Sequence, residues 1–242
     1  MKKLIIVDNE TIYNMLRSFI DGKKRNDIVF SHSGKSMEAS NEIFFKSKSL
    51  QIDVRENLEY IKENFDLIIS IHCQQIFPKE LIQSVRCINL HPGYNPSTRG
   101  WYTHVFAIIY GLPAGATLHE MDELIDHGPI IARKLVEKDI SDTSFTLYNK
   151  ILKAEVDLFA ENFDSIMDGS YQPQKITEEG NLFTKADYKK LLEFDLNQEG
   201  RFIDFYNRLR ALSHNEYRNA YFYSPSSGKK VFISLKTEAE DE

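Results

Sequence analysis

Two polar side chains close an otherwise apolar run at Cys87-Ile88-Asn89-Leu90-His91-Pro92-Gly93. Residues two apart on a strand point to the same face, so an amide and an imidazole there converge on one small group. An amide N–H stabilises a developing oxyanion, and an imidazole with an ordinary pKa of about 6.5 exchanges protons near neutrality. Neither is a strong nucleophile by itself. The pair therefore suits acyl transfer to an amine already carried by the substrate, with no covalent enzyme intermediate. The plainer alternative is that Asn89 caps the turn and His91 is a hydrogen-bonded strand end. The polar loop Asp122–Pro129 supplies carboxylates at Asp122, Glu123 and Asp126. Any of them, brought beside His91, would hold and charge its imidazole, and spacing does not choose among the three.

Other constellations are weaker. Asn95-Pro96-Ser97-Thr98-Arg99-Gly100-Trp101 leads into a helical pattern and offers anion binding from backbone amides, a helix N-terminus and Arg99. A zinc site from His72, Cys73, Cys87 and His91 is poorly formed, because adjacent residues on a strand face opposite sides and no C-x-x-C or H-x-x-x-H spacing occurs. Cys73 and Cys87 sit in apolar segments and read as reduced, buried small hydrophobes. Nothing places a thiolate beside an oxyanion donor. The first βα turn, Asp8-Asn9-Glu10, lacks the Gly-rich run that a dinucleotide pyrophosphate needs, which argues against an ordinary NAD enzyme.

Such a site needs a frame, and the apolar pattern supplies one. Lys3–Asp8, Asp27–Phe30, Asp66–Ile71 and Arg86–Leu90 read as strands, with Ile12, Met15, Leu16, Phe19 and Ile20 at helical spacing before Gly22, and a short helix from Pro78 to Val85. Alternation of this kind implies an α/β fold with a mostly parallel sheet and right-handed crossovers. In an open sheet the ligand crevice lies outside the carboxyl ends of the strands, where Asn89 and His91 fall. Trp101–Tyr110 reads as a helix, Gly115–Met121 and Ile130–Val136 as strands, and Ser144–Met167 as a long helix stopped at Gly169. Beyond a polar stretch, helices at Lys185–Glu193 and Gly200–Leu212 precede a hairpin of Ala220–Tyr223 and Lys230–Leu235, and Thr237–Glu242 reads as a frayed acidic tail. The expected division is a catalytic domain over residues 1–172 and a small helical and β-hairpin unit over 173–242.

The 242 residues carry 30 Lys and Arg against 36 Asp and Glu, a formal charge of -6. This balance argues against a broad nucleic-acid footprint, and the basic run Lys23-Lys24-Arg25 reads as a solvated turn. No stretch approaches the roughly 20 apolar residues of a membrane span, and the first apolar run is too short for a signal peptide, so a cytoplasmic protein without membrane or nucleic-acid partners is expected.

Taken together, Asn89-Leu90-His91-Pro92-Gly93, Arg99-Gly100-Trp101, Gly115-Ala116-Thr117-Leu118-His119 and Asp122-Glu123-Leu124-Ile125-Asp126-His127-Gly128-Pro129 resemble the formyltransferases that use N10-formyltetrahydrofolate. The resemblance spans about residues 60–150 and implies a Rossmann-like core with a catalytic set of Asn89, His91 and Asp126, which settles the choice of carboxylate. Ser70–Pro78, joined to Arg86–Pro96, is most similar to the sugar N-formyltransferases of surface-polysaccharide (O-antigen) synthesis, in particular those acting on dTDP-4-amino-4,6-dideoxyglucose. The loop 95–101 departs from the L-L-P-x-x-x-G form of the broader family.

By the same resemblance, folate would lie against Ile76, Phe77 and Pro78 and against Asp122 and Ile125 of the loop. For the dTDP-amino sugar, Arg99 and Arg210 are candidates for the diphosphate, and Trp101, Tyr221 and Tyr223 for stacking on thymine. No metal is implied. The hairpin offers a surface for a homodimer. The competing readings are another acceptor (a dTDP-3-amino sugar, methionyl-tRNA or water) or a folate or nucleotide-sugar binding module without turnover.

Overall fold

Apolar runs that alternate between two faces build the centre of the molecule. The computed structural model describes residues 1–33 and 50–238, so the last four residues of the expected acidic tail, 239–242, lie outside the described residues. In chain order the elements are β1 (Lys2–Val7), α1 (Glu10–Gly22), β2 (Ile28–His32), β3 (Leu50–Gln51), α2 (Leu58–Asn64), β4 (Phe65–Ile71), α3 (Lys79–Ser84), β5 (Arg86–His91) and β6 (Arg99–Gly100). There follow α4 (Thr103–Ile109), β7 (Ala114–Glu120), β8 (Ile130–Val136), α5 (Ser144–Asp168), β9 (Leu182–Phe183), α6 (Lys185–Lys190), α7 (Phe202–Leu212), β10 (Ala220–Tyr223) and β11 (Lys230–Ile233).

Among the described residues, seven strands form one sheet in the order β3-β2-β1-β4-β5-β7-β8. The first five are parallel, while β7 runs antiparallel to β5 and β8 antiparallel to β7. The fold is the mostly parallel, Rossmann-like α/β arrangement with a small antiparallel hairpin, as the alternation of elements implied. Alternation along β1 shows why the sheet is covered on both sides. Ile5 and Val7 pack with Ile12, Leu16, Leu158, Phe159 and Phe163 of α1 and α5, whereas Leu4 and Ile6 pack with Ile61, Leu81 and Phe77 on the other face. Each such side chain removed from water contributes about 1.5–3 kcal/mol. A reciprocal Thr143–Thr146 cap starts α5, and Gly169 at φ 78° ends it.

Four features differ from the sequence reading, the first being α2, since no helix was expected between Phe30 and Asp66. Tyr102 takes a left-handed conformation (φ 55°), so α4 begins at Thr103, two residues later than the apolar pattern suggests. Both β3 and the pairing of β6 with β9 were unexpected, being two-residue strands with no alternation to reveal them. The last pairing shows that the chain after residue 173 is more than an appendage. Arg99 N donates to Asn181 O, Trp101 N to Phe183 O and Asn181 N to Pro96 O, so this segment clamps the loop after β5. A third apolar cluster then joins α4 and α5 to α7 and Ala220 of the hairpin. Among the described residues, no helix is long and apolar enough to cross a membrane.

Candidate active site

The carboxyl end of β5 presents Asn89 and His91 on one face, and the β7–β8 loop brings Asp126 to them. Asn89 Nδ2 donates to Asp126 Oδ1 at 2.9 Å, and His91 Nδ1 lies 3.5 Å from Asp126 Oδ2. Asp126 holds its place through a left-handed backbone (φ 48°), and its carbonyl accepts from Asn95 Nδ2 at 2.8 Å. Gly100 N donates to its Oδ2 at 3.0 Å. Burial alone would raise the Asp126 pKa, but the His91 charge and the Gly100 N–H hold it well below the usual carboxylate range. The structure thus gathers the three residues selected by resemblance from two distant segments. It leaves Asp122 turned to His127 Nδ1 (2.6 Å) and the Leu124 N–H, and Glu123 paired with Lys79.

His91 is 4% exposed and its Nε2 lies 3.3 Å from Thr98 O. Gly93 makes room for that ring, because a Cβ at this position would stand 2.3 Å from His91 Nε2. Burial pushes the imidazole pKa down, and Asp126 opposes the shift.

His119 was part of the recognised motif but was not singled out. It pairs with Asn89 across β5 and β7, donates from Nδ1 to Glu120 O (2.7 Å), and so turns the Nε2 lone pair toward Asn89 Nδ2 at 3.2 Å. Both amide protons of Asn89 therefore have acceptors. Thr117, fully buried, accepts from Asn95 N and donates to Gly93 O, fixing the same loop. A polar pair two apart on a buried strand was the available signal for Thr117 and His119.

The proposed folate segments are neighbours. Lys79 Nζ reaches Glu123 Oε1 at 2.6 Å, and Met121 packs in the cluster that contains Phe77. Ile76 (63% exposed) and Ile125 (47%) stand open at this edge, whereas Phe77 is buried and offers backbone only, and Pro78 precedes α3 as its cap. A cleft of about 240 Å³ lies against Ile76, Gln74, Gln75, Asp53 and Arg55. A larger groove of about 550 Å³ is lined by Phe106, Tyr110, Leu182, Phe183 and Leu191, away from the catalytic three.

Arg99 is 6% exposed, and its Nε has no hydrogen-bond partner among the described residues. Arg210 has a different job from the one expected: its guanidinium donates to Asp139 O, Asp142 O and Asn207 Oδ1, which ties α7 to the turn before α5. One face of Trp101 is covered by Lys185 Nζ, 3.7 Å from the ring centre. Tyr221 donates to Glu193 and lies under Lys230, with Tyr223 edge-on to it, so the contacts of both tyrosines fall within the C-terminal unit. Cys87 is buried, its thiol pushed up to about 12 by burial, while Cys73 is half-buried. Among the described residues, no group of three or more His, Cys, Asp or Glu side chains is arranged to hold a metal ion.

Comparison with known proteins adds an independent line. Residues 21–163 match the sequence profile described as formyl transferase, and residues 187–238 match that of the N-formyltransferase dimerization C-terminal domain. A dTDP-4-amino-4,6-dideoxyglucose formyltransferase of Mycobacterium tuberculosis is 47% identical over 188 residues, covering 78% of this chain and 80% of that protein. Among solved structures, a 4-N formyltransferase from Francisella tularensis superposes with a TM-score of 0.90 at 38% identity, covering 99% of this chain and 98% of that one. A sugar N-formyltransferase from a Shewanella species gives 0.90 at 35%, covering 100% and 99%.

Proposed function

Because the chain belongs to the formyl transferase family, we propose that it moves the formyl group of N10-formyltetrahydrofolate onto the amine of a dTDP-linked amino-dideoxy sugar, dTDP-4-amino-4,6-dideoxyglucose, in surface-polysaccharide synthesis. The observation that carries this reading is the convergence of Asn89, His91 and Asp126 at the strand ends, within a chain that resembles enzymes of that acceptor over most of its length.

The chemistry follows from what each group can donate. Attack of the free amine on the formyl carbon turns the carbonyl oxygen into an oxyanion. Asn89 meets it with an amide N–H, giving up the longer of its two contacts, that to His119. Asp126 keeps the Asn89 amide oriented and stabilises positive charge on His91 as negative charge develops opposite. The proton lost by the attacking nitrogen reaches N10 through water beside this pair as the bond between the formyl carbon and N10 breaks. Because burial excludes bulk water from His91, such interactions are stronger here than in solution. The apolar edge at Ile76 and Ile125, with backbone from Phe77 and Pro78, fits a flat pterin. Arg99, a buried cation whose Nε has no hydrogen-bond partner among the described residues, fits the diphosphate.

A transfer-RNA acceptor is disfavoured by the charge of -6, since phosphate-rich ligands bind through many cations. Calorimetry with dTDP should give a dissociation constant between about 1 μM and 1 mM, usual for substrates, and a gel-shift with tRNA should show no complex. Silence with dTDP, or a salt-sensitive shift with tRNA, would overturn the acceptor while leaving formyl transfer standing.

A further inference from the structure

The turn that aims Asp126 at His91 has little to hold it from within its own loop. Leu124 and Ile125, just before it, stand exposed, and Asp122 bonds to groups of the same loop, the Leu124 N–H and His127 Nδ1. Asp126 itself is left-handed (φ 48°), a conformation that a residue other than glycine keeps where its surroundings impose it. Gly100 N fixes one end of the carboxylate at Oδ2 and leaves the backbone to other ties.

One such tie comes from the loop after β5. Asn95 Nδ2 donates to Asp126 O at 2.8 Å from a side chain that is 2% exposed. This contact orients the amide, because exchanging its nitrogen and oxygen would set two carbonyl oxygens against each other. Asn95 Oδ1 is buried with no hydrogen-bond partner among the described residues. An apolar side chain would avoid leaving that oxygen unpaired. The L-L-P-x-x-x-G form has one: Pro96 and Gly100 keep its proline and glycine, and Asn95 stands at its second leucine.

Asn95 is in turn fixed to the sheet. Its N–H donates to Thr117 Oγ1 at 3.1 Å, that hydroxyl donates to Gly93 O at 2.7 Å, and Arg133 Nη1 donates to Asn95 O at 2.7 Å. Thr117 lies on β7 and Arg133 on β8, the two strands that the Asp126 loop connects, and β7 pairs with the strand carrying Asn89 and His91. The amide therefore references the turn to the same strands that present the catalytic pair.

We propose that Asn95 is a positioning residue: by holding the Asp126 carbonyl it imposes the left-handed turn that points the carboxylate at Asn89 Nδ2 and His91 Nδ1. The proposal rests on the formyl-transfer reading above. Without this bond the turn relaxes, and the carboxylate swings away from the pair it serves.

The test is a double-mutant cycle on kcat, read as tetrahydrofolate released in the presence of the amino sugar, for wild type, Asn95→Leu, Asp126→Asn and the double variant. Asn95→Leu should lower kcat about tenfold, with KM for both substrates within about twofold of wild type. In the Asp126→Asn background no carboxylate is left to aim, so the same substitution should cost less than about twofold. An equal loss in both backgrounds would mean that Asn95 supports the loop as a whole and would overturn the proposal. So would an unchanged kcat in Asn95→Leu, or a loss expressed in KM. If a thermal melt shows that Asn95→Leu does not fold, Asn95→Ala, which removes the donor and adds no bulk, runs the same cycle. A wild-type chain that releases no tetrahydrofolate with any amino sugar would overturn the formyl-transfer reading and this proposal with it, whereas an active wild type with additive losses overturns this proposal alone.

Discussion

Asn89, His91 and Asp126 act where charge develops, so their removal should reach kcat and spare binding. Asn89→Ala and His91→Asn are each expected to lower turnover by about 10²–10³-fold, with dTDP affinity within a few-fold of wild type. Asp126→Asn should be comparably impaired, because it strips the charge that His91 and Asn89 are organised around, whereas Asp122→Asn should be mild, since Asp122 serves His127 and a loop N–H. Steady-state kinetics with calorimetry separates these outcomes, and greater sensitivity at Asp122 would mean that the loop is read in the wrong register. The Asn–His pair was legible from spacing alone, because a strand with period two leaves little freedom in where its side chains point. The carboxylate was not, because three candidates share one loop and only a left-handed turn at residue 126 aims one of them inward. His119 was hidden for a different reason: it is a polar residue inside an apolar pattern, and only the fold shows which partner it meets.

At the scale of elements, the loop between β5 and α4 depends on a strand from far along the chain. Gly180 adopts φ 64°, and a Cβ there would sit 1.9 Å from Pro96 O, in the segment that aligns Gly100 N with Asp126. Gly180→Ala is therefore expected to destabilise the protein by about 1–3 kcal/mol. It should also lower kcat roughly tenfold, because small displacements of positioning groups are costly. Thermal melts and kinetics check this, and an unchanged kcat would show that the β6–β9 clamp does not position the site. The long elements were readable because buried parallel strands are continuous apolar runs and α5 repeats its apolar face over seven turns of helix. The clamp was unreadable because two residues carry no periodicity and their partner is remote in sequence.

Across the whole molecule, the hairpin of β10 and β11 carries Tyr221, Tyr223 and Phe232 on the face opposite Ile233, which packs inward, and Tyr223 and Phe232 are 48% and 42% exposed. An aromatic face of this kind, in a segment matching a dimerization domain, is expected to join two copies of the chain. Phe232→Lys should shift sedimentation toward monomer, and an unchanged dimer would place the interface elsewhere. The acidic composition indicated only what the protein would not bind, since net charge constrains partners and leaves reactions open. The acceptor is decided by transfer itself. The purified chain, incubated with N10-formyltetrahydrofolate and dTDP-4-amino-4,6-dideoxyglucose and read by mass, should yield the sugar nucleotide bearing one added formyl group and an equal amount of tetrahydrofolate, with Asp126→Asn yielding far less. Release of free formate, with the sugar nucleotide unchanged, would contradict the account.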